Sequence, residues 1–181
     1  MATTKHTLVA LVEDKPGVLN RMASLFRRRS FNIESIAVGH SEIPHLSRMT
    51  IVVDGATTMV EQVRKQLDKV IDVVRVSDIS GDDIIARELA LIKVRTTPST
   101  RSEIMQIVDI FRANIVDVGS DSVTVEVTGD EDKINSLFNL LRGFGINELA
   151  RTGRIAMSRG GSSPLQVEKE SASTRRRKQK G

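Results

Sequence analysis

One order of elements runs through this chain twice, and that repeat constrains the fold more than any other feature. Thr7 to Val12 alternates as a strand, and Asp14-Lys15-Pro16-Gly17 forms a turn cluster. Val18, Leu19, Met22, Leu25 and Phe26 then follow helical spacing, closed by three arginines at 27 to 29. Phe31 to Val38 predicts a strand, Gly39 to His45 a loop, and Leu46 to Val53 another strand. Met59, Val60, Val63 and Leu67 mark a helix, and Val70 to Ser77 a fourth strand. The order recurs from Leu89: a strand, a turn at Thr97-Pro98-Ser99, and a helix through Ile104, Ile107, Val108 and Phe111. Strands follow at Asn114 to Val118 and Ser122 to Thr128, then a helix through Ile134, Leu137, Phe138 and Leu141, and a last strand within Ile146 to Ala156. The copies align by residue. Met22 matches Ile104 and Asn32-Ile33 matches Asn114-Ile115 at an offset of 82; Thr50 matches Thr124, Gly55 Gly129, Val63 Leu137 and Leu67 Leu141 at 74.

The order β-α-β-β-α-β is the split motif of ferredoxin-like domains. The expected fold class is therefore α+β, with two ferredoxin-like βαββαβ domains in tandem. The expected organisation is an N-terminal domain over residues 1–80, a second over 81–160 and a disordered basic tail over 161–181. Each copy is small enough to be marginal alone. Helices cover one face of such a sheet, yet Thr50-Ile51-Val52-Val53 places apolar residues on both. A second sheet or a second chain must cover the other face, so at least a dimer is expected.

Charge and composition remove several functions. The net charge of +4 comes from 27 Lys and Arg against 23 Asp and Glu, and the last 22 residues hold six of the basic and two of the acidic ones. The remaining body is neutral, so the fold carries no basic excess for nucleic acid. With no Cys there is no disulfide, no thiolate nucleophile and no Cys-ligated metal. No apolar run reaches the ~18 residues of a membrane span, and no signal-peptide pattern appears. A soluble, cytoplasmic protein is expected.

Chemistry-bearing patterns are sparse. His40 and His45 share a loop without a third ligand at regular spacing and read as solvated residues rather than a metal site. Asp130-Glu131-Asp132 reads as a helix cap rather than a catalytic pair. Gly143 and Gly145 lack the third glycine of a dinucleotide fingerprint, since position 148 is Glu148. Neither a phosphate-binding loop nor a nucleophile elbow appears, so no catalytic residue is assigned. One segment suits a ligand. In Asp14-Lys15-Pro16-Gly17-Val18-Leu19 a strand enters a helix through a tight turn. Amides at a helix start bind carboxylates, and Asp14 can accept from an ammonium group. A small zwitterion fits that pairing; equally, Asp14 and Gly17 can serve only to cap the helix and make the turn.

Three strings carry a resemblance: Val12-Glu13-Asp14-Lys15-Pro16-Gly17-Val18-Leu19, Phe31-Asn32-Ile33-Glu34-Ser35 and Ser47-Arg48-Met49-Thr50-Ile51. Together they resemble the ACT domain of the small, regulatory subunits of acetolactate synthase (acetohydroxyacid synthase). Arg87-Glu88-Leu89, Phe111-Arg112-Ala113, Ile115-Val116-Asp117-Val118 and Ala150-Arg151-Thr152-Gly153 extend the similarity to about residue 160. The resemblance implies a non-catalytic subunit of the holoenzyme, serving valine, leucine and isoleucine biosynthesis. It would activate a separate catalytic (large) subunit and confer feedback inhibition by valine or a related branched-chain amino acid. Thiamine diphosphate, Mg and FAD are expected on that partner and no cofactor on this chain. The effector would lie between two ACT domains of a homodimer. The turn would supply Asp14, Gly17, Val18 and Leu19, and the facing subunit Asn32 and Ile33. Gly17 and Val18 amides would take the carboxylate and Asp14 the ammonium. Asn32 would bond either end, and Ile33 with Leu19 would wall the side chain. Burying a valine side chain gives ~1.5–3 kcal/mol, so discrimination by one methylene is modest.

Two positions depart from the family's habit. Asp14 stands where many relatives have Asn, strengthening ammonium binding at a desolvation cost. Ser30 stands where Gly commonly follows the helix, a change worth ~1 kcal/mol in a left-handed cap. Three rival readings have discriminating features. An RNA-recognition domain would need aromatics on the central strands, which Leu46 to Val53 and Ser122 to Thr128 lack. A transcription factor would need a helix-turn-helix segment that the first six positions cannot supply. A free-standing sensor or dimerisation module would not co-purify with a catalytic chain. Deleting residues 161–181 is expected to leave activation and effector response intact.

Overall fold

The computed structural model describes residues 5–28, 32–161 and 164–165. Arg29, Ser30, Phe31 and most of the expected tail lie outside them. The chain forms two compact units. One comprises residues up to Ile85 together with the segment from Ala156; the other comprises Ala86–Ile155.

The first unit contains β1 (Lys5–Glu13), α1 (Val18–Arg28), β2 (Ile33–His40), β3 (Leu46–Asp54), α2 (Thr57–Leu67) and β4 (Val73–Asp78). Its strands run in the order β2-β3-β1-β4, all antiparallel. The second repeats this with β5 (Ile84–Arg95), α3 (Arg101–Ile110), β6 (Asn114–Val118), β7 (Ser122–Gly129), α4 (Glu131–Leu141) and β8 (Ile146–Arg151), in the order β6-β7-β5-β8. Two ferredoxin-like α+β units in tandem are thus present. The repeat extends to irregularities: the register of β2 on β3 shifts between Ile33 and Ser35, and that of β6 on β7 between Ile115 and Asp117. Both shifts sit at the offset of 82.

Period-two alternation sends Leu8, Ala10 and Val12 of β1, and Met49, Ile51 and Val53 of β3, against Val18, Met22 and Phe26 of α1 and Val60, Val63 and Leu67 of α2. Ala90, Ile92 and Val94 play the same part for Ile104, Val108, Ile134 and Leu137. Glu88, almost buried, holds Arg151 bidentately at 2.6 and 2.7 Å, and tilts that arginine's pKa upward. Asp130 caps α4, accepting from the Lys133 amide at 2.8 Å.

Several boundaries differ from expectation. Sheet pairing with β3 carries β2 through Gly39 and His40. Val70 to Asp72 is a turn, because successive amides after α2 bond back three or four residues. The expected strand over Ile146–Ala156 is two, β8 and β9 (Ile155–Ser158), and β9 pairs with β5. The segment from Ala156 belongs to the first unit: Arg48, on the sheet face away from the helices, donates to the Ala156 carbonyl at 2.8 Å. Burial pushes the Arg48 pKa down. Leu165, inside the segment expected to be a tail, is only 6% exposed. A deletion that spares packed residues must therefore begin after Leu165.

Candidate functional site

The turn between β1 and α1 is anchored by two backbone bonds. The Asp14 amide bonds the His45 carbonyl at 2.9 Å, and the Glu13 amide bonds the Asp72 carbonyl at 2.8 Å. Gly17 adopts φ +89°, a left-handed value that favours glycine, and a Cβ built there would meet nothing within 4 Å. The helix then begins, and its first internal bond runs from the Arg21 amide to the Gly17 carbonyl at 3.1 Å. Among the described residues, the amides of Gly17, Val18 and Leu19 have no backbone partner. They are the orphan donors of a helix start, and the space a side chain would fill at Gly17 is open.

Each expected site residue has a definite place. Asp14, three residues before Gly17, is half-exposed, and its carboxylate faces His40 Nδ1 at 3.2 Å. Val18 buries its side chain in the core, so only its amide can serve a ligand. Leu19 remains 53% exposed although it fits the helical apolar pattern, and it borders the open turn. Asn32 and Ile33 are elsewhere. Ile33 pairs with Val53, and Val53 with His6, whereas the turn adjoins the pairing of Glu13 with Leu46. The separation is about seven strand residues, or roughly 23 Å. Within one chain these residues do not meet the turn, and Ile33 also spends part of its surface on its own core.

The second unit supplies an internal control. At the offset of 82, Asp14 to Leu19 corresponds to Thr96-Thr97-Pro98-Ser99-Thr100-Arg101, and the prolines coincide. That turn is closed. The Thr100 amide bonds Thr97 O at 3.1 Å, the Arg101 amide bonds the same carbonyl at 3.0 Å, and the Thr97 amide bonds Thr100 Oγ1 at 2.9 Å. The Arg101 side chain, where the first unit has Leu19, donates to the carbonyls of Gly119 and Ser120 at 3.0 and 3.1 Å. The counterparts of the Val18 and Leu19 amides, open in the first unit, are therefore bonded in the second.

A buried residue behind the first turn escaped the sequence reading. The Asp72 side chain has no solvent exposure, yet it faces two cations: Lys15 Nζ at 2.8 Å and the Arg21 guanidinium. The Lys15 ammonium, helped by Arg21, holds the Asp72 carboxyl below its ordinary range despite burial. Asp72, then Glu13, raises the Lys15 pKa. The available signal was an acidic residue inside the apolar run Val70-Ile71-Asp72-Val73-Val74.

Both units match models of known protein families. The family model for an AHAS small subunit-like ACT domain matches residues 8–75, and the model for the small subunit of acetolactate synthase matches 87–160. An Archaeoglobus fulgidus protein named "Probable acetolactate synthase small subunit" is 57% identical over 86% of this chain and 98% of its own. The Bacillus subtilis acetolactate synthase small subunit is 51% identical over 86% of this chain and 91% of its own. The crystal structure of the Thermotoga maritima acetolactate synthase small subunit superposes with a TM-score of 0.81 at 42% identity, over 88% of this chain and 99% of that one. Across both units, then, the chain belongs to the acetolactate synthase small-subunit family.

Proposed function

We propose that this chain is the regulatory subunit of acetolactate synthase: it raises the activity of a separate catalytic subunit in the cytoplasm and lets valine reverse that rise. Thiamine diphosphate, Mg and FAD belong to the catalytic chain in this reading. The observation that carries it is the open turn, in which the Gly17, Val18 and Leu19 amides without a backbone partner follow the half-exposed Asp14 carboxylate by three to five residues. An amino acid offers the complementary pair of charges, and a branched aliphatic side chain suits the exposed Leu19.

A homodimer completes the site. Strand β2 is an edge of its sheet, with Ile36 and Val38 exposed along it. Two such edges paired antiparallel about a two-fold axis set the start of one β2 beside the end of the other. His40, at the end of β2, already touches Asp14. The same pairing therefore carries Asn32 and Ile33 of a second copy toward this turn. The residues that one chain keeps roughly 23 Å apart become neighbours across two. Valine then ties two first units together, and through that tie shifts the grip on the catalytic subunit.

The test is reconstitution. Added to its catalytic subunit, the purified chain should raise acetolactate formation, and valine should reverse that rise. Valine at about 100 times its Kd should also stabilise the chain by ~2.7 kcal/mol in thermal melts. Absence of both activation and valine-dependent stabilisation rejects the reading.

A further inference from the structure

We propose that Asp72 is a positioning residue for the effector turn, holding the amides of Gly17 to Leu19 in their open arrangement through Lys15 and Arg21. The inference rests on the reading of that turn as the effector site. Lys15 lies before Gly17 and Arg21 one helical turn after it, and both reach the same buried carboxylate. The flexible glycine is thus clamped from both sides.

The second unit separates this role from the needs of the fold. The bond from the Glu13 amide to the Asp72 carbonyl recurs as Arg95 amide to Gly145 carbonyl, again at 2.8 Å. Position 72 therefore corresponds to Gly145, which has no side chain to give. Thr97 and Glu103 stand where Lys15 and Arg21 do. A unit of the same topology forms without the carboxylate and both cations, and its turn is held instead by the hydroxyls of Thr97 and Thr100 and by Arg101. The first unit cannot use those internal bonds without consuming the donors a ligand needs. Asp72 supplies the restraint from behind and leaves the amides free. It also occupies Lys15 and Arg21, so recognition of a carboxylate falls to the amides.

Valine titration of the full chain by calorimetry tests this. Asp72→Asn, Arg21→Met and Lys15→Met should each weaken valine binding by about tenfold, a coupling of the ordinary size for residues that act at one remove. The double variant Lys15→Met with Asp72→Asn should bind no more weakly than the weaker single variant, and Lys15→Arg should restore affinity. General destabilisation would produce neither the non-additivity nor the rescue. Lys15 is half-exposed, so its variants carry the test even if Asp72→Asn does not fold. Binding within about twofold of wild type in Lys15→Met, or full additivity in the double variant, overturns the proposal. If Gly17→Asp abolishes binding in the same series, the turn stands and only the role of Asp72 falls. If Gly17→Asp also binds normally, both fall.

Discussion

The two turns that follow β1 and β5 share a proline, a topology and a backbone anchor, yet they treat the start of the next helix oppositely. Where the first leaves the Gly17, Val18 and Leu19 amides open, the second bonds those of Thr100 and Arg101 to Thr97 and has Arg101 at the position of Leu19. A repeated fold therefore does not imply a repeated site. A closed turn is held by its own bonds, whereas amides left open to water add no such restraint. The open turn needs restraint from outside itself, which is where the buried Asp72 enters.

The largest expected effect comes from closing the open turn. Leu19→Arg places the second unit's residue over the amides and should abolish the valine response in reconstituted enzyme; retained inhibition would place the site elsewhere. Gly17→Asp should do the same by setting a carboxylate in the anion site. Because φ +89° strains any L-residue, Gly17→Ala serves as its control, with ~1–2 kcal/mol of strain and partial sensitivity expected.

The reverse change probes the closed turn. Arg101→Leu removes the side-chain bonds to Gly119 and Ser120 and should cost ~1–3 kcal/mol in thermal melts. Valine affinity should stay unchanged in calorimetry, because the first unit keeps its donors. A gain of a second binding event would show that Arg101 alone blocks a latent site. Arg151→Ala is a further separation: loss of the Glu88 pair should destabilise the protein by ~2–3 kcal/mol, below the range for fully buried pairs because Arg151 is partly exposed, with no change in valine affinity.

The smallest effect concerns pH. The Asp72 carboxyl has a folded pKa below its ordinary value of 3.8, so its contribution to stability is complete above that value and is lost as pH falls through the folded one. Wild type should lose more melting temperature than Asp72→Asn between pH 7 and about pH 3. Equal losses would mean the ion pairs with Lys15 and Arg21 contribute nothing measurable.

Much of this contrast was legible in sequence. Apolar periodicity around Met22 and Ile104 revealed both helices, and the paired Asn-Ile strings aligned the copies. Gly17 after Pro16 signalled a turn able to present amides. What stayed hidden depended on residues distant in sequence. Asp72 sits in a run of β-branched residues that reads as strand, and its partners lie more than 50 positions away. Likewise Glu88 and Arg151 appear in two separate strings, and only the sheet brings them together. The chain's return to the first unit at Ala156 was concealed because Ile146 to Ala156 alternates well enough to read as one strand. Local pattern predicts elements; ion pairs across elements require the fold.

The most direct test of the central claim is the valine-dependent rise in melting temperature of the full chain, compared among wild type, Leu19→Arg and Arg101→Leu. The account predicts a rise in wild type and Arg101→Leu and none in Leu19→Arg. A rise that survives in Leu19→Arg, or its absence in wild type, would contradict it.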